Sequence, residues 1–395
     1  MKQKEETTQR FSSVMKIDVR VFAMFAVLVV LWIMFTFFTS SGFTKIDTSF
    51  LSTRNLSNLT RQMTTVGIIG ISMVLVMVSG GIDLAAGAVV GFIGCVAAAL
   101  QVFLGVGTPV TIAICLVLAI FVYVVQGSMI AYLGLAPFIV TLGASLIFKG
   151  LILVVTHGTT VAPLQKSLLY FGQEYISKPV SLALGILFSV IYLLNELQKR
   201  AGKRKNGTIT ESFQHMLLKW LGATAAVIII VLVMNDYHGL PVPVLIMLAL
   251  TIILTIVSDR TSFGRSIYAI GGNLDAARYS GINVKKNLVM VYSIHGLMIG
   301  IAGLILAARL NASTTTVANM SLELDAIAAA VIGGTSMTGG IGRVSGAIIG
   351  ALIMATIDNG MSMMNVDASW QYIVKGIILV AAVWFDVSTN KKRKS

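Results

Sequence analysis

Four carboxylates interrupt otherwise apolar stretches of this 395-residue chain: Asp83, Glu323, Asp325 and Asp358. A charge at the centre of a bilayer costs about 2.5–3.5 kcal/mol on insertion scales, so an acid kept there faces a bundle interior and handles ions or polar solutes. Asp83 and Asp325 are the deepest candidates; Glu323 and Asp358 fall nearer the expected interfaces. A second reading has each acid marking a helix start, where a carboxylate complements the macrodipole and only places a half-helix. Asp83 follows Gly80-Gly81 and Asp325 opens an Ala-rich run, so both readings stand. Enzyme chemistry finds no support. His157, His215, His238 and His295 are scattered, make no ligand pair at helical spacing, and read as satisfied or exposed side chains. No Ser–His–Asp or paired-carboxylate arrangement can be argued. Cys95 and Cys115 lie in apolar runs and offer neither a disulfide framework nor a CxxC metal site. No catalytic residue, cofactor or metal site is expected.

A different kind of chemistry, recognition by a short helix, is written between residues 258 and 288. Asn273 is a good N-cap, Asp275 falls in the first turn, and Gly281 can take the left-handed position that ends a helix. About two turns fit between them, with Leu274, Ala277 and Arg278 on one face at the i, i+3, i+4 spacing. So short a helix is unstable alone in water. It requires a docking surface, either its own bundle or a partner.

The elements that must carry these residues are membrane helices. Of the residues, 56% are hydrophobic and only 11% charged, and the mean hydropathy is +0.89. Soluble domains carry about 25% charged residues, so this chain cannot cover itself with a hydrated surface. The net charge of +13 is not a nucleic-acid footprint, because no soluble domain exists to display it. Instead, 20 of the 29 Lys and Arg fall in four segments beside apolar runs: the N-terminal tail, Lys199–Lys219, Arg260–Lys286 and Lys391–Lys394. That is the positive-inside pattern of cytoplasmic loops.

The expected fold is all-α, a polytopic transmembrane bundle of about ten spans. These lie at 21–38, 64–79, 84–104, 108–126, 137–156, 179–195, 218–235, 242–257, 289–307 and 370–386. The apolar stretch 325–357 is broken by Gly333-Gly334, Gly339-Gly340 and Gly342, as expected of half-helices or a re-entrant hairpin buried in protein or lining a cavity. Both termini then fall in the cytoplasm, residues 1–20 and 387–395 forming tails around a transmembrane unit at 21–386. The first apolar run lacks a cleavage pattern and reads as a retained helix. Loops 39–63, 157–178, 235–241 and 309–324 are expected outside; 127–136, 196–217 and 258–288 are expected inside. Ile82–Gly91 also matches Leu324–Gly333, each with an Asp, then small residues, then Ala-Val-(Val/Ile)-Gly. This reads as an internal repeat whose broken helices meet at a translocation path, or as chance in a sequence rich in Ala, Val and Gly.

The stretch Gly271-Gly272-Asn273-Leu274-Asp275-Ala276-Ala277-Arg278-Tyr279-Ser280-Gly281-Ile282 resembles the cytoplasmic loop of sugar permeases in the ribose/xylose branch of bacterial ABC importers. Ser79–Leu84, Pro137–Gly143, Asn235–Tyr237, Ala330–Ser336, Asp358–Met364 and Trp370–Gly376 resemble further motifs of that branch, in order, from about residue 50 to 386. The resemblance implies a homodimer in the bacterial inner membrane with a monosaccharide path, for a pentose such as xylose, between the subunits. A separate cytoplasmic ATPase with two fused nucleotide-binding halves would drive it, and an external sugar-binding protein would deliver substrate. Gly272, Asn273, Leu274, Asp275, Ala277, Arg278 and Gly281 would form the coupling helix. Asp83, Asp325, Gly333, Gly334 and Thr335 would belong to the path. The chain has no GxxxxGK[ST] phosphate loop, so ATP must be used by another chain. A self-sufficient secondary transporter, with Asp83 and Asp325 as relay carboxylates, is the alternative.

Overall fold

A computed structural model describes residues 19–39, 49–205 and 212–394. The helices are α1 (Val19–Phe38), α2 (Thr53–Val78), α3 (Ala86–Val102), α4 (Thr108–Leu133), α5 (Pro137–Thr156), α6 (Lys166–Gln173), α7 (Lys178–Lys205), α8 (Phe213–Tyr237), α9 (Val242–Arg260), α10 (Ser262–Gly272), α11 (Leu274–Tyr279), α12 (Val284–Leu310), α13 (Leu322–Ile332), α14 (Val344–Met363) and α15 (Ala368–Lys394). Strands β1 (Tyr175–Ile176) and β2 (Leu240–Pro241) form one short antiparallel pair, Tyr175 opposite Pro241. Ten described helices are long and apolar enough to cross a membrane, as an all-α polytopic bundle requires.

Punctuation follows local chemistry. Ser52 caps α2 by accepting the Asn55 amide, Pro109 and Pro137 open α4 and α5, and Gly134 ends α4 in the left-handed conformation. The core is built around α2, buried at every residue from Met63 to Val78. It packs against α12, α13 and α14, while α12 lies against α3 and α4. A stripe of glycines on α12 permits that approach: a Cβ on Gly296 would sit 2.7 Å from Tyr123 Cβ, and one on Gly303 2.7 Å from the Val90 carbonyl oxygen. Without a hydrophobic drive between helices in lipid, such close van der Waals contact is what holds them. Helices α7 and α8 pair with each other at the margin, and α15 is the least enclosed of the spans.

Several boundaries differ from the sequence reading. The expected outer loop 39–63 is helical from Thr53, because Ser52 caps the helix well before the apolar run begins. Residues 206–211 of the basic loop 196–217, 40–48 of the outer loop and 1–18 of the N-terminal tail lie outside the described residues. The glycine-broken stretch contains α13 and α14, and α14 is itself long enough to span. Its connecting loop packs against the ends of two other helices. The Gly340 amide donates to the Val78 carbonyl at the end of α2, and Tyr268 of α10 donates to the Gly342 carbonyl. The break therefore reaches the face that bears the basic loop 258–288. The matched decapeptides also fall out of register with their helices: Asp83 precedes α3 by three residues, whereas Asp325 lies inside the first turn of α13.

Candidate functional site

Three polar constellations occupy the bundle, and they divide the expected path residues among them. The first surrounds Asp83, which is fully buried between α2 and α3. The Ala85 amide donates to its Oδ1 at 2.7 Å and the Tyr123 hydroxyl to its Oδ2 at 2.6 Å. His295 Nε2 lies 2.9 Å from the same Oδ2, while His295 Nδ1 lies 2.8 Å from Ser72 Oγ. No Ser–His–Asp arrangement could be argued from the sequence; the fold assembles one from residues 212 and 223 positions apart. Helical spacing within one segment cannot reveal partners on different helices. Because Ser72, His295 and Asp83 are all enclosed, the group ties α2, α4 and α12 to the start of α3 rather than presenting a nucleophile.

The second constellation contains Asp325. Lys375 Nζ of α15 sits 2.8 Å from Asp325 Oδ2 and 2.9 Å from Asp358 Oδ2, so one cation serves a buried carboxylate on α13 and a half-buried one on α14. The remaining oxygens, Asp325 Oδ1 and Asp358 Oδ1, have no partner among the described residues. Lys375 went unweighed in the sequence, although a lysine inside an apolar run is as anomalous as an acid. Glu323, two residues earlier in the same turn, packs against Gly87 in the first turn of α3, so the starts of α3 and α13 meet.

Gly333, Gly334 and Thr335 join neither acid. Gly334, at φ +93°, closes α13 with the Thr335 amide donating to the Ala330 carbonyl, a helix stop rather than a lining. Gly333 is where α13 and α14 cross: a Cβ there would run into the Gly346 backbone. Thr335 is buried beside Gly342. All three lie in the loop that meets α10.

That loop and α10–α11 form the third constellation. Asn273 Oδ1 accepts the Ala276 amide at 3.0 Å, and the Ile282 amide donates to the Ala277 carbonyl around Gly281 at φ +78°. The cap, the early Asp and the terminal glycine stand as spaced in the sequence. The shared face does not hold whole: Ala277 turns inward against Ile270 and Val284, while Leu274 and Arg278 stay exposed. Arg278 lies 3.7 Å from Asp275, both well exposed, a pairing that contributes little and leaves the guanidinium available. Gly272 and the backbone of Gly271 press against Gly339 and Gly340, and burial pushes the Tyr268 phenol above its ordinary pKa, keeping it a donor to Gly342. A cleft of about 650 Å³ opens beside α11, its walls including Gly80, Gly81, Leu274, Arg278, Asn283 and Tyr292.

A family model described as "Branched-chain amino acid transport system / permease component" matches residues 55–383. The chain is 42% identical over 388 residues to the xylose transport system permease protein XylH of Escherichia coli (strain K12), covering 98% of this chain and 96% of that one. It is 42% identical to the Haemophilus influenzae protein of the same name, over 88% of this chain and 92% of the relative. The ribose import permease protein RbsC of Bacillus subtilis (strain 168) is 33% identical over 86% and 87% of the two chains. No solved structure matches. These relatives are transport permeases rather than enzymes. The chain belongs to the permease-component family of transport systems, alongside these sugar transport permeases.

Proposed function

We propose that the chain is the membrane permease subunit of an ATP-driven monosaccharide importer, with D-xylose as the first substrate to test. The observation that carries this reading is the near full-length similarity to xylose transport system permeases. The family description names amino acid transport, but the xylose and ribose permeases reported above carry sugars in their names. In this reading two copies pair in the bacterial inner membrane with both termini in the cytoplasm, and an external sugar-binding protein loads the path. A separate ATPase with two nucleotide-binding halves seats α11. The capped helix, its exposed Arg278 and its backbone contacts with Gly339 and Gly340 support α11 as the coupling element. The chain itself needs no cofactor.

The test is reconstitution. The permease, co-purified with an ATPase and supplied with a sugar-binding protein, should take up D-xylose into proteoliposomes only with ATP. Uptake by the permease alone would establish a self-sufficient transporter instead.

A further inference from the structure

A second cleft, of about 480 Å³, opens on the face opposite α10–α11. One wall is the first two turns of α2, where Arg54, Asn58 and Arg61 share a face at i, i+4 and i+7. Tyr175 and Tyr237 form the other wall. The β1–β2 pairing fixes Tyr175, and Tyr237 ends α8; their rings stand edge to face, 6.0 Å apart at 79°. Arg61 bridges the walls, its Nη1 donating to the Tyr175 hydroxyl at 2.9 Å and its guanidinium 5.6 Å from that ring. Several polar groups are left over. The Arg61 Nε is buried with no partner, and the side chains of Arg54 and Asn58 and the Tyr237 hydroxyl make no hydrogen bond among the described residues.

We propose that this cleft is a binding site for a neutral polyhydroxylated monosaccharide on the outer mouth of the permease. The unpaired groups mix donors with acceptors: two guanidinium donors, an amide that does both, and a phenol that does both. Vicinal sugar hydroxyls also donate and accept, so they can satisfy the whole set. A carboxylate only accepts and would leave the Asn58 carbonyl oxygen unmatched. The two tyrosine rings supply flat apolar faces for the C–H side of a sugar ring, with a polar handle beside each. Arg54, Arg61 and the neighbouring Arg309 also make this face cationic, which would suit an acidic protein surface. That occupant is separated by the test.

The proposal rests on the pentose-importer reading and gives that importer a site of its own before the translocation path. The full-length permease in lipid nanodiscs, without any sugar-binding protein, is titrated with radiolabelled D-xylose by scintillation proximity. Saturable binding is expected. Asn58→Leu and Tyr237→Leu should each weaken it by about tenfold, and Tyr237→Phe by less, because the ring is kept. Asn58 is exposed, so its replacement does not threaten the fold. No saturable binding, while the assembled transporter still takes up D-xylose with ATP, would overturn the site and leave the importer intact. Unchanged binding in Asn58→Leu and Tyr237→Leu would also overturn it. Variants that bind sugar normally yet lose stimulation by the binding protein would assign the cleft to that protein instead. Failure of uptake by the assembled wild-type transporter would overturn the importer reading beneath it.

Discussion

Lys375 is the side chain that bridges Asp325 and Asp358. Changing it to Met leaves Asp325 and Asp358 uncompensated, a loss that costs about 3–5 kcal/mol when one partner of a buried pair is removed. A clear fall in thermal midpoint is expected by fluorescence-detected size exclusion. Replacing both acids with Asn in the same chain should restore much of it, since no unpaired charge then remains. Tyr123→Phe, which deletes one donor to Asp83 without opening a cavity, should cost about 1–2 kcal/mol in the same assay. The two deep acids were visible in the sequence as charges in apolar runs. Their partners were not, because His295 and Lys375 sit 212 and 50 positions away on other helices, and only the fold brings them near.

At the scale of elements, the glycine loop and the capped helix make separable predictions. Gly334 and Gly340 both hold positive φ, but a Cβ on Gly334 meets open space whereas one on Gly340 lies 2.8 Å from Gly272 Cα. Gly334→Ala should therefore cost only the backbone strain, about 1 kcal/mol. Gly340→Ala should also pry α10 from the end of α2 and impair transport while insertion stays intact. Equal transport loss in the two variants would contradict the packing account. For α11, Arg278→Glu should reduce co-purification of the ATPase and uncouple hydrolysis from uptake, leaving permease yield unchanged. Normal association and transport would remove α11 as the coupling element. The helix and both its caps were legible from Asn273, Asp275 and Gly281, since capping is local chemistry. The inward turn of Ala277 was not, because it depends on Ile270 and Val284 from flanking elements.

For the whole molecule, the proposed orientation is checked with impermeant thiol reagents. Cysteine at 278 or 199 should label only in inverted vesicles, and cysteine at 166 only in intact cells; the native Cys95 and Cys115 are buried and should stay silent. Labelling of position 278 in intact cells would invert the topology. One feature of α2 bears on how such a molecule can move at all. This helix of 26 residues, about 39 Å long, is gripped on every side from Met63 to Val78 and joins the Tyr175–Tyr237 cleft to the Gly340 contact. Close-packed surroundings admit discrete rearrangements rather than gradual flexing. α2 is thus the mast of the machine, and α7, α8 and α15 are its rigging. Spin labels at the two ends of α2 should hold one separation in every nucleotide state, while labels on α15 shift against them between a small number of fixed stops.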